Sequence, residues 1–130
     1  MMNTKPNLKK AVVIVGTALL AYLIYKSLKD INLESLKTSD IDLLDIDFAK
    51  KHFSEHKIEN KNLKKVICKL DEENLGTEYQ EEKTQKYVLA YYDEVKEEII
   101  PEKSIVVIPQ KVHINLRDAF NDKNMIIIED

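Results

Sequence analysis

Ala11-Val12-Val13-Ile14-Val15-Gly16-Thr17-Ala18-Leu19-Leu20-Ala21-Tyr22-Leu23-Ile24-Tyr25 carries no charge, in a chain where 33% of residues are charged. Lys9 and Lys10 precede the run and Lys26 follows it. Exposing such a run to water is costly, so where it is buried decides the architecture. As a membrane span it is short, since fifteen residues rise about 22 Å against a hydrocarbon core of about 30 Å. Extension from Leu8 to Leu28 brings the rise to about 31 Å. Lys9, Lys10 and Lys26 must then snorkel towards the headgroups. Tyr22 and Tyr25 fall near one interface, where amphipathic rings are favoured. Pro6 suits the position just before a helix start. The expectation is therefore one transmembrane helix, with residues 8–28 in the lipid bilayer.

Two other readings compete. A cleaved secretory signal has the same basic-then-apolar layout, but no small-x-small pair follows the apolar core. The third is a buried helix of a water-soluble domain. Orientation of a span is weakly fixed, with Lys5, Lys9 and Lys10 on one side and Lys26, Lys29 and Lys37 on the other. The short N-terminal tail favours N-inside.

At 130 residues there is room for a span and one small domain. The expected division is tail and span at 1–28, connector at 29–47 and a small α+β domain at 48–130. The chain is acidic, with 20 basic and 23 acidic side chains and a net charge of −3. Residues 1–28 contain no acid, so the acidic excess lies in the rest. The lone Cys68 excludes an internal disulfide and reads as a buried thiol. Two glycines and no tryptophan argue against a turn-rich barrel.

In the connector, Asp40, Asp42, Asp45 and Asp47 lack the glycine and terminal glutamate of a calcium loop. Asp45 or Asp47 instead reads as the cap of a short helix over 48–56. Leu63, Val66, Ile67 and Leu70 recur at three- and four-residue spacing and predict a helix over 61–75. Leu75-Gly76 gives that helix a C-terminal stop. Thr77 and Gln80 make a capping box for a long helix over 77–99, with Val88, Tyr91, Tyr92, Val95 and Ile99 as its apolar stripe. The short junction implies an antiparallel helical hairpin, supported by a basic 50–69 stretch facing an acidic 71–102 stretch. Ile105–Ile108, the alternating Val112–Leu116 segment and Met125–Ile128 read as two or three C-terminal strands. Pro109 marks an edge, a bulge or a break. The last apolar run could add to a partner's sheet or complete an internal one. The expected fold is thus a single N-terminal transmembrane helix followed by a small α+β domain, a helical hairpin plus two or three strands.

Motifs of catalysis are missing from the sequence: there is no nucleophile elbow, glycine-rich phosphate loop or paired-cysteine metal site. No catalytic, cofactor or metal residue is singled out. His52 and His56 are four residues apart on one helical side, and His113 is the remaining histidine. His-Phe-Ser-Glu-His is not the zinc-protease pattern, because its glutamate is misplaced. The basic stretch offers Lys50, Lys51, Lys57, Lys61, Lys64 and Lys65 to anionic lipid headgroups or phosphate. The stretch holds no arginine, and the tyrosines lie on acidic sequence, so nucleic acid is a poor partner.

These features predict a non-enzymatic, single-pass membrane-anchored structural or accessory protein. Its span would position a protein-interaction module in a larger assembly, either a cellular membrane complex or a membrane-containing virion, as a membrane-to-capsid linker. The partner would dock through the 77–99 helix or the 105–128 strands. The alternatives are a membrane-tethered metal-binding protein or enzyme using His52, His56 and His113, and a secreted binding domain released by signal cleavage.

Overall fold

A computed structural model describes residues 12–15, 18–70, 85–120 and 123–129. The described strands form one mixed sheet: β1 (Val12–Val15), β2 (Lys37–Leu44), β3 (Leu63–Leu70), β4 (Lys86–Asp93), β5 (Glu98–Ile99), β6 (Ile105–Val112) and β7 (Met125–Glu129). Six run in the order β1-β7-β3-β4-β6-β2, and the two-residue β5 pairs with β4. The β2–β6 pair is parallel and every other described pair is antiparallel. Helix α1 (Ala18–Asp30) lies against one face of the sheet, and α2 (Ile46–Glu55) and α3 (Ile114–Phe120) lie against the other.

Strand alternation sorts the core into two layers. Val66, Cys68, Val88, Ala90, Tyr92, Met125 and Ile127 face Ile24, Tyr25 and Leu28 of α1. Ile67, Tyr87, Leu89, Tyr91, Ile126 and Ile128 face Ala49 and Phe53 of α2 and Leu116 and Phe120 of α3. Burial on both faces explains why Val66–Cys68, Tyr87–Tyr92 and Met125–Ile128 read as continuous apolar runs. Polar groups fasten α1 to the sheet as well. The Tyr25 hydroxyl lies 2.8 Å from the Lys69 carbonyl and 2.7 Å from the Asn124 carbonyl, and Ser27 Oγ accepts the Ile99 N–H at 2.8 Å.

The membrane-span reading is overturned. Among the described residues no helix is long and apolar enough to cross a membrane. The uncharged run is divided between two elements. Val12–Val15, rich in β-branched side chains, pairs antiparallel with Glu129–Ile126 of β7. Ala18–Asp30 is a helix of 13 residues, about 20 Å long. Its buried stripe meets the sheet, while Leu19, Tyr22, Lys26 and Lys29 are exposed. The transmembrane helix, the single-pass localisation with its N-inside orientation, and the lipid contact of residues 8–28 lose their support with it.

The helical hairpin is corrected too. Residues 63–70 and 86–93 are neighbouring strands, paired from Leu63 with Asp93 to Leu70 with Lys86. The three- and four-residue spacing was a by-product of a strand buried on both sides, where Val66-Ile67-Cys68 leaves no polar alternation to read. Gly76, Thr77 and the start of the expected 77–99 helix lie outside the described residues. The C-terminal third also differs in detail. Residues 105–112 form one strand, and Pro109 falls beyond the three residues of β6 that pair with β4. Residues 114–120 are helix α3, although Val112–Leu116 alternates. Met125–Ile128 is strand as expected, but β7 is interior, between β1 and β3. With both edges paired, it has none to offer a partner strand.

Candidate functional site: a lysine-rimmed pocket

Helix α2 begins where the sequence placed a cap. Asp45 is extended, and its Oδ1 accepts the Phe48 N–H at 2.8 Å, while Asp47 adds negative charge to the first turn. Ala49, His52 and Phe53 form the buried stripe. Lys50 and Ser54 are one helical turn apart along a neighbouring stripe, with Lys51 beside them, and Lys57 lies two residues beyond the end of α2.

The sheet supplies the other wall. Lys65 is the register partner of Tyr91 on β4 and of Ile128 on β7, so these residues make one row across three strands. Between this row and α2 lies a pocket of about 490 Å³. Lys50, Lys51, Lys57 and Lys65 rim it. Its apolar lining is Phe53, Ile58, Tyr91 and Ile128, and Ser54 adds a hydroxyl. The floor is fixed by an edge-on contact of the Phe53 and Tyr91 rings, with centroids 5.1 Å apart, and by the Tyr91 hydroxyl donating to the Phe53 carbonyl at 2.9 Å. Lys57 approaches Glu59 at 3.3 Å, but both side chains are exposed and such a pair exchanges readily with another anion. Lys50 and Lys65 also engage other groups of the chain.

Of the six lysines singled out from the basic stretch, these four converge. Lys61 is exposed in the turn before β3. Lys64 alternates to the α1 face of the sheet, 4.0 Å from Glu94 and 3.9 Å from Glu129. Phe53 was legible as a helical apolar residue. Tyr91 and Ile128 were not legible as pocket residues, because only the strand pairing brings them to Lys65.

His52 and His56 come together, with ring centroids 4.4 Å apart, but each turns a ring nitrogen to a backbone carbonyl. His52 Nε2 donates to the Lys103 carbonyl at 3.1 Å, and His56 Nδ1 donates to the His52 carbonyl at 2.9 Å. His113 precedes α3, where its Nδ1 accepts the Asn115 N–H at 3.1 Å. Among the described residues, no group of three or more His, Cys, Asp or Glu side chains is placed to hold a metal ion. Burial lowers the His52 pKa, partly offset by its bond to the Lys103 carbonyl. Burial raises the pKa of the Cys68 thiol and of the Tyr87 and Tyr92 hydroxyls. None of these four groups lines the pocket.

No protein-family model matches the chain, and neither curated proteins nor solved structures provide a match.

Proposed function

We propose that this protein is a non-enzymatic accessory module that holds an anionic macromolecular partner in a larger assembly, with the lysine-rimmed pocket as its docking site. The observation that carries this reading is the convergence of Lys50, Lys51 and Lys57 from α2 and the residues after it with Lys65 from β3 around one concavity, whose bottom is closed by the buried Phe53, Tyr91 and Ile128. A concave apolar surface with a few convergent polar groups is the usual form of a binding site. The groups with displaced pKa values lie elsewhere and are engaged in packing or local hydrogen bonds, which supports binding over proton-transfer chemistry.

Retention on immobilised polyglutamate across a salt gradient tests this function. The wild-type chain should elute later than the Lys51→Glu/Lys57→Glu variant. It should match a Lys26→Glu/Lys29→Glu control, which alters the exposed face of α1 by the same charge. Equal elution of the wild type and the pocket variant would overturn the assignment.

A further inference from the structure

We infer that the outer edge of β2 is a docking site for an extended basic segment of a partner protein, which adds to the sheet as a further strand with lysine or arginine at alternate positions. No residue of β2 lines the lysine-rimmed pocket, so the two sites stand or fall separately.

β2 is the last strand of the sheet on its side, and among the described residues no strand pairs with its outer edge. It is eight residues long, about 26 Å. β2 and β6 keep one register, from Lys37 with Ile105 to Leu44 with Val112. In a parallel pair the N–H and C=O of one residue point to the same neighbour, and those of the next residue point away from it. The His113 N–H donates to the Leu44 carbonyl at 2.9 Å, so Leu44, Asp42, Asp40 and Thr38 turn their backbone groups to β6. Ser39, Ile41 and Leu43 therefore turn theirs outward. Each offers one donor and one acceptor, in the alternation that a new strand requires.

The side chains choose the occupant. Thr38 pairs with Val106 of the α1 layer, and Ser39 with Val107 of the opposite layer. By alternation Asp40 and Asp42 stand on the α1 side, and Ile41 and Leu43 on the other. Both aspartates are exposed, and neither makes an ion pair among the described residues. The neighbouring β6 positions on that side, Ile108 and Gln110, carry no cation. A second copy of the chain is a poor occupant. Antiparallel self-pairing centred on residue 40, 41 or 42 sets an aspartate directly opposite an aspartate, which is destabilising. Exposed charge of one sign is a common guard against edge-to-edge association. The same charge favours a strand that brings a cation opposite each aspartate. Its intervening side chains lie beside half-buried Ile41 and exposed Leu43, where apolar groups gain from contact.

The test uses the full chain and four dye-labelled peptides with blocked ends. They are Thr-Lys-Val-Lys-Val-Lys-Thr, its counterparts with glutamine or glutamate in place of every lysine, and the lysine peptide methylated on every backbone nitrogen. Affinity is read by fluorescence anisotropy and location by amide hydrogen exchange. In the free, dilute chain the Ser39, Ile41 and Leu43 amides should exchange about tenfold faster than those of Asp40 and Asp42. The lysine peptide should slow them and bind about fivefold more tightly than the glutamine peptide, with the glutamate peptide weakest. Asp40→Asn/Asp42→Asn should bring the lysine and glutamine peptides to equal affinity. Asp40→Lys/Asp42→Lys should make the glutamate peptide the tightest, and both variants should keep the wild-type circular dichroism spectrum. Slow exchange at the three outward amides in the free chain would overturn the inference, because the edge would already be covered. Protection that grows with chain concentration alone would overturn it in favour of a second copy. Equal binding of the methylated peptide, an unchanged order of affinities in the lysine variant, or no binding by any peptide would each overturn it as well.

Discussion

Replacing Leu28 by alanine distinguishes a helix that covers a sheet from one that sits in lipid. Leu28 is 0% exposed and belongs to the layer formed with Ile24, Val66, Val88 and Tyr92. The substitution removes three carbons, about 2.4 kcal/mol at about 0.8 kcal/mol for each buried carbon. The cavity left in a layer fixed by strand pairing raises this to about 3–4 kcal/mol. Total stabilities of small domains are about 5–15 kcal/mol, so the loss is a large share. At about 4 °C per kcal/mol for a domain of this size, the midpoint should fall by roughly 12–16 °C. Tyr22 lies on the outer side of the same helix and is 62% exposed, and Tyr22→Ala should change stability by less than about 0.5 kcal/mol. Urea unfolding in detergent-free buffer, followed by far-UV circular dichroism and by tyrosine fluorescence, measures both. Equal and small effects of the two substitutions would refute the packing of α1 on the sheet.

Other outcomes follow from single buried groups. Tyr92 is 1% exposed and its hydroxyl has no hydrogen-bond partner among the described residues, so Tyr92→Phe should raise the denaturation free energy by about 1 kcal/mol. Burial lowers the His52 pKa below its unfolded value near 6.5, so the folded state binds fewer protons than the unfolded one. That contribution is full above pH 6.5 and declines as pH falls from there through the folded pKa. Denaturation midpoints from pH 8 to pH 5 should show the decline, and His52→Gln should flatten it. Cys68 is fully buried and its thiol pKa is raised, so a thiol reagent should label it at the rate of unfolding, and quickly in urea.

The readings that held were those set by local chemistry. Asp45 caps α2 through its own side chain, a contact three residues long that needs no tertiary information. Met125–Ile128 is bounded by polar residues and dense in β-branched side chains, and it is a strand. Residues 63–70 misled because burial on both faces erases the period-two pattern, leaving apolar residues at spacings that also suit a helix. The opening run misled for a related reason. Hydropathy reports only that a segment avoids water, and a strand and a helix joined in sequence look alike on that measure. The lysines of the site were visible as a basic stretch. Their division was not, because Lys64 and Lys65 separate only once β3 is known to be a strand, one residue for each face. The aromatic floor depended on the same fact.

Central to the site is the row Tyr91–Lys65–Ile128 across β4, β3 and β7. Nuclear Overhauser contacts on isotopically labelled protein test it directly. Cross-strand backbone contacts should link Lys65 with Tyr91 and with Ile128, and Val66 with Ala90 and with Ile127. Sequential amide contacts with three-residue periodic cross-peaks through 63–70 and 86–93 would instead define two helices, and the pocket described here would not exist.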